Sequence, residues 1–146
     1  MSALTRPAVF GGFDGLTCFL GVVLGLATHP SLVFPAAVGV GVAEATGMAA
    51  GEWQSSSSGG FAAAAVIGVA TGLATIVPAL PYAAAFPGWY ARGWSAALVL
   101  LITAVIAWSR RGERGIARAS AETFGILAAV ALVVAAAVHF TPAGAA

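Results

Sequence analysis

Lysine is absent from this chain, and charged side chains of either sign make up only 8% of its 146 residues. A net charge of +1 carried by so few groups provides no basic face, which excludes nucleic acid as a partner. Cysteine occurs once, so no disulfide can form within the chain, and Cys18 is either a packing group or a ligand. A phosphate loop, a nucleophile elbow, an HExxH helix and a paired-cysteine zinc pattern are also missing. The run Ser55 to Ser58 lacks a partnering base and reads as a flexible turn. Without a recognisable nucleophile or base, the chain is not expected to be an enzyme.

What the chain does have is apolar surface. Its composition is 60% hydrophobic and its mean hydropathy is +0.99, far outside the soluble range. The expectation is an all-α, multi-pass integral membrane protein with a single transmembrane domain, in the inner membrane if the source is bacterial. A span needs about 20 residues of low charge, and the punctuation divides the chain into five, at about residues 8–28, 31–53, 61–85, 93–108 and 119–140. His29-Pro30 ends the first and the serine tract ends the second, while Pro78 and Pro81 predict a kink or a broken end in the third. Asp14 inside the first apolar run argues against a cleaved leader.

Arginine placement gives an orientation, because cytoplasmic loops are enriched in basic residues. With the N-terminus inside and five spans, Arg6, Arg110, Arg111, Arg114 and Arg118 are cytoplasmic and only Arg92 is outside. Trp53, Trp89, Trp94 and Trp108 all fall near predicted span ends, at the depth indoles prefer. Small residues recur at spacing four in Gly21/Gly25, Gly47/Gly51 and Gly68/Gly72, a pattern that lets helices approach closely in lipid. The pair flanking Met48 is expected to bring a neighbouring backbone close to that residue, and such faces favour a homodimer.

The chemistry concentrates in the first two spans. Glu44, Met48 and Glu52 lie four residues apart in AEATGMAAGEW and share one helical stripe, and Cys18 follows Asp14 by four in GGFDGLTCFLG. An acid at such depth costs about 2.5 to 3.5 kcal/mol on insertion scales, and the usual reason to retain one is an ion path. In an antiparallel hairpin turning near Pro30 and Ser31, residues at equal depth have numbers summing to about 62. That register pairs Asp14 with Met48 and Cys18 with Glu44, with Glu52 nearer the cytoplasmic mouth. Mixed oxygen and sulfur donors suit Fe²⁺, Mn²⁺ or a similar borderline ion such as Co²⁺ or Zn²⁺ better than Mg²⁺ or Ca²⁺. Carboxylates can also take up a proton as the metal leaves. The candidate metal residues are therefore Asp14, Cys18, Glu44, Met48 and Glu52, for a transported ion rather than a permanently bound cofactor. Glu122, four residues after Arg118, is expected to pair with it, and His29 and His139 read as interfacial. The competing reading is a non-transporting membrane scaffold that uses its glycine faces for assembly.

These motifs resemble a known family. FGGFDGLTCFLGVVLG, with Asp14-Gly15-Leu16 at its centre, is similar to the first span of vacuolar iron transporter family proteins. GMAAGEW followed by serines resembles the family's second-span motif through Met48, Gly51-Glu52 and Trp53, and Leu80-Pro81-Tyr82 resembles the end of its third span. The resemblance implies a dimeric five-helix protein that moves Fe²⁺ or Mn²⁺ out of the cytosol in exchange for protons, with Asp14 and Met48 as membrane-site ligands near the dimer interface. The chain departs from the pattern at Phe13, where asparagine is common, and at Trp53, where tyrosine or phenylalanine is common. Cys18 and Glu44 are not part of that pattern. The acidic cytoplasmic helices that many members insert between spans two and three are replaced by the short tract Ser55 to Gly60, so a cytosolic metal-collecting function is not expected.

Overall fold

The computed structural model describes residues 4–55, 60–84 and 86–140. The described chain is all α-helical: α1 (Thr5–Gly25), α2 (Pro30–Ser55), α3 (Phe61–Ile76), a 3₁₀ turn (Val77–Ala79), α4 (Leu80–Ala83), α5 (Gly88–Ser109), α6 (Arg111–Arg114) and α7 (Ile116–Phe140). Five stretches are long and apolar enough to cross a membrane, with α3, the 3₁₀ turn and α4 together forming the third. The protein is a multi-pass integral membrane protein. The predicted serine turn falls largely on residues 56–59, outside the described residues, as do residue 85 and the tail 141–146.

Sequence dictates where these helices start and bend. Pro30 occupies the first position of α2, where a missing N–H costs nothing, and Pro35 is accommodated one turn later. Pro78 and Pro81 turn the end of the third span into the 3₁₀ turn and α4, as their spacing predicts. One carbonyl at this break, that of Pro78, accepts a hydrogen bond from the buried Ser95 hydroxyl of α5. α5 begins at Gly88, five residues before the predicted start of that span. The segment containing Trp89, Tyr90 and Arg92 reads as an interfacial loop by hydropathy, yet continues the helix. Gly115, at φ 73°, supplies the left-handed residue that ends α6 and turns the chain into α7.

The interior is built from small residues around a few large ones. Leu16, Phe19 and Val33 are fully buried, together with Ala37 and Ala79, and Ile106 and Leu127 extend this core toward α5 and α7. Three buried threonines satisfy their hydroxyls on their own helix: Thr71, Thr103 and Thr123 donate to the carbonyls of Ile67, Val99 and Ala119 at 2.9, 2.7 and 2.7 Å. Outward-facing side chains are equally apolar. Leu132, Val133 and Phe140 of α7 are largely exposed, an arrangement suited to lipid rather than water. All four tryptophans are exposed near helix ends, in line with their expected interfacial positions.

The closest packing is that of α3 against both α1 and α2, rather than of α1 against α2 along a simple hairpin. Glycine makes each approach possible. A methyl group on Gly11 or Gly15 of α1 would overlap the backbone carbonyls of Ile67 and Thr71, and one on Gly68 of α3 would lie 2.6 Å from the carbonyl oxygen of Ala45 in α2. The predicted pair Gly68/Gly72 therefore does pack against a neighbour. The pairs Gly21/Gly25 and Gly47/Gly51 do not, because no atom lies within 4 Å of where their β-carbons would be. The expectation that Gly47 and Gly51 bring a backbone up to Met48 fails among the described residues of this chain, since α3 seats on the Gly41, Ala45 and Ala49 stripe of α2 instead.

Candidate metal site

Two of those glycine contacts set the site. Gly15 follows Asp14 directly, and its carbonyl accepts the Thr75 hydroxyl of α3 at 3.1 Å, so the level of Asp14 is tied to α3. Ala45 follows Glu44 directly and lies under Gly68 of the same helix. One helix thus fixes the heights of both acids. On the stripe of α1 beside those contacts, Asp14 and Cys18 are one helical turn apart, and Glu44 reaches them from α2. A carboxylate oxygen of Asp14, the Cys18 sulfur and a carboxylate oxygen of Glu44 all lie within 4.8 Å of one another.

These groups are partly shielded from their surroundings. Asp14, Cys18 and Glu44 are each half-buried. The Oδ2 atom of Asp14 is buried and has no hydrogen-bond partner, an arrangement that normally costs about 1 to 3 kcal/mol or more unless something satisfies it. The Thr17 hydroxyl, which could have served, donates instead to the backbone carbonyl of Asp14 at 2.8 Å. Among the described side chains, no arginine neutralises the cluster either. The arginine–carboxylate pairs among the described residues fall on Glu122, which receives Arg110 at 3.2 Å and Arg118 at 3.0 Å.

The expected proximity of Cys18 and Glu44 is present, and Asp14 joins the same group. The turn between α1, which ends at Gly25, and α2, which begins at Pro30, lies just before the expected position. Met48 and Glu52 lie farther along α2, on the wall of a cavity of about 860 Å³ bounded by α1, α2, α3, α5 and α7. Phe13 lines the same cavity next to Asp14, while Arg6 and Arg110 stand at the helix ends around it. Met48 and Glu52 share that wall with their glycine neighbours Gly47 and Gly51, while Asp14, Cys18 and Glu44 are not among the residues that line it.

Two features of the site escaped the sequence reading. The glycines that seat α1, Gly11 and Gly15, lie four apart in the same motif as Asp14, so a search for small residues at that spacing would have found them. Arg110 joins α5 to α7 by donating to Thr123 at 3.0 Å and to Glu122, across a separation that no local periodicity signals. The expected Arg118–Glu122 pair is present. His29 and His139 are exposed near helix ends, as expected.

Residues 5–60, which include α1, α2 and every candidate ligand, match the model of the VIT family. No curated protein and no solved structure gives a significant match to the chain.

Proposed function

We propose that this chain, whose first two helices carry the VIT family pattern, exports Fe²⁺ or Mn²⁺ from the cytosol across a membrane in exchange for protons. Family likeness and five membrane-crossing helices support iron or manganese transport in general terms. The observation that carries the reading is the buried, unpartnered Oδ2 of Asp14 beside a second carboxylate and a thiol, a donor set suited to a divalent cation. In the competing scaffold reading a donor from a partner helix would have to satisfy that oxygen.

In this reading the ion enters the cavity past Glu52 and Met48, gives up water in stages, and is held by Asp14 and Glu44 with sulfur at hand. When it leaves, the carboxylates are free to accept protons for the return half of the cycle. The cavity end, near Arg6 and Arg110, faces the cytosol by the arginine rule, and Arg92 marks the opposite end, where its guanidinium donates to the Ala27 carbonyl at 3.0 Å. The open glycine face at Gly47 and Gly51 supports a homodimer with the ion path near the shared surface. A monomer mass in lipid nanodiscs, from particles that still transport, would refute the dimer.

Proteoliposomes containing the purified protein provide the test. Metal uptake with opposite proton flux is expected for the wild type, and Asp14→Asn, which keeps the shape but removes the charge, should abolish both. Uptake no greater than in empty liposomes, or unchanged uptake in Asp14→Asn, would sink the reading.

A further inference from the structure

We infer that Cys18 Sγ is itself a metal ligand, completing with Asp14 and Glu44 a three-donor site across α1 and α2 that favours thiophilic divalent cations such as Fe²⁺, Co²⁺ and Zn²⁺ over Mn²⁺ and Mg²⁺. Its role as a cargo site rests on the transport reading, whereas its existence as a binding site does not.

Geometry makes the first part of the case. A small divalent cation with bonds of about 2.0 to 2.3 Å holds tetrahedral donors about 3.3 to 3.8 Å apart. The three donor atoms already lie within 4.8 Å of one another, so closing on an ion needs a contraction of about 1 Å, which side-chain rotation can supply. The backbone need not move, since Gly15 and Ala45, the neighbours of Asp14 and Glu44, are seated on α3. Three protein donors from two helices also leave coordination positions open for water, as a site that must release its ion requires.

The second part is an unmet need that does not depend on the cysteine. The Oδ2 atom of Asp14 is buried without a donor, and a cation between the three groups would satisfy it. The third part is donor chemistry. Oxygen donors alone would suit Mn²⁺ and Mg²⁺, of which Mg²⁺ demands near-octahedral oxygen coordination, whereas a thiolate adds affinity for softer ions. On binding, the S–H bond breaks, its proton passes to water and a metal–sulfur bond forms. Met48, farther along α2 on the cavity wall, is not needed for this set.

The test uses full-length protein in detergent with Co²⁺ as the probe. Wild type should show the near-ultraviolet thiolate-to-cobalt charge-transfer band on titration, and Cys18→Ser and Cys18→Ala should lack it. Co²⁺ affinity should fall by at least about tenfold in both variants, the range seen even for residues one shell further out, while Mn²⁺ affinity changes by less than about threefold. Cys18→Ala, small and apolar, covers the case in which serine at this position fails to fold, and thermal melting reports on both. Wild type that binds Co²⁺ without the band, or variants that lose Co²⁺ and Mn²⁺ affinity by the same factor, would overturn the assignment. A band together with an inactive proteoliposome would refute the transport reading and leave the site standing; transport without a band would do the reverse.

Discussion

Replacing Gly15 by alanine adds a single methyl group where α1 meets α3. The new carbon would overlap the Thr71 carbonyl oxygen and lie 2.9 Å from the Ala74 β-carbon. Neither can turn aside, because one is backbone inside a hydrogen-bonded helix and the other is fixed directly to it, so α1 must shift bodily. Overpacking of this kind costs about 1 to 3 kcal/mol. Moving α1 also stretches the Thr75 hydroxyl bond to the Gly15 carbonyl, but that hydroxyl is shared with the Thr71 carbonyl at 3.0 Å, so the loss stays below about 1 kcal/mol and the better helix propensity of alanine offsets it. The expected net loss is therefore about 1 to 3 kcal/mol. Gly125→Ala, on the exposed face of α7 with no atom within 4 Å of the new carbon, keeps the propensity gain without the clash and should be neutral or slightly stabilising. Thermal unfolding in matched detergent, followed by loss of the monodisperse peak, compares the two. Because Asp14 is next in the chain, Gly15→Ala should also weaken metal binding. A Gly15→Ala protein as stable as Gly125→Ala would refute the reasoning, because it would mean that the helix pair has slack at the point where the structure shows none.

Three further outcomes are expected. Met48→Leu conserves volume and should cost less than about 1.5 kcal/mol in stability; if the thioether contacts the ion on its way in, Fe²⁺ and Co²⁺ transport should slow more than Mn²⁺ transport, and equal rates for all three would reduce Met48 to cavity lining. Arg110→Gln removes both ties from α5 to the start of α7 and should cost about 1 to 2 kcal/mol, whereas Arg118→Gln should cost less than about 0.5, because Arg110 is 20% exposed and Arg118 is 73% exposed. Hydrogen exchange at the start of α7 should rise only in the first variant, and equal exchange in both would contradict the assignment. Tags at the two termini should show opposite protease access in intact cells, with the C-terminal tag cleaved and the N-terminal tag protected; the reverse pattern would overturn the cytosolic placement of Arg6 and Arg110.

Hydropathy and punctuation made the five spans legible, and the prolines at 78 and 81 marked the broken third span. Those signals are local, and a membrane enforces them strictly because no backbone polar group can go unpaired in lipid. The acids Asp14 and Glu44 stood out too, since a carboxylate in an apolar helix is costly to keep, whereas Cys18 could equally have been a packing residue. Their grouping was legible in part: Cys18 and Glu44 pair as expected, but Asp14 joins them as well. Equal-depth arithmetic assumes that α1 and α2 pack on each other, but the relative height of Asp14 and Glu44 is set by a third helix, through Gly15 against Thr71 and Ala45 against Gly68. Such contacts depend on which of many small residues face inward. The glycines near Met48 and those on α1 look equivalent in sequence, and only packing separates Gly11 and Gly15, which are filled by α3, from Gly47 and Gly51, which are open. The Arg110 network depends in the same way on the turn at Gly115, which brings the end of one span back beside the start of the next.

Seating α1 and α2 on a common α3 also constrains how an ion could change sides. Neither α1 nor α2 can slide along α3 without carrying a carbonyl off its glycine and onto a bulkier residue, which favours movement of the three helices together with Asp14, Cys18 and Glu44 keeping their spacing. If the chain transports as proposed, alternating exposure falls to the opposite wall. There α7 is the least buried of the five spanning segments, and its start is tied to α5 through Arg110. A wall that swings while the ligand block stays intact would let the chain release its ion by admitting water, with no need to pull the coordinating side chains apart.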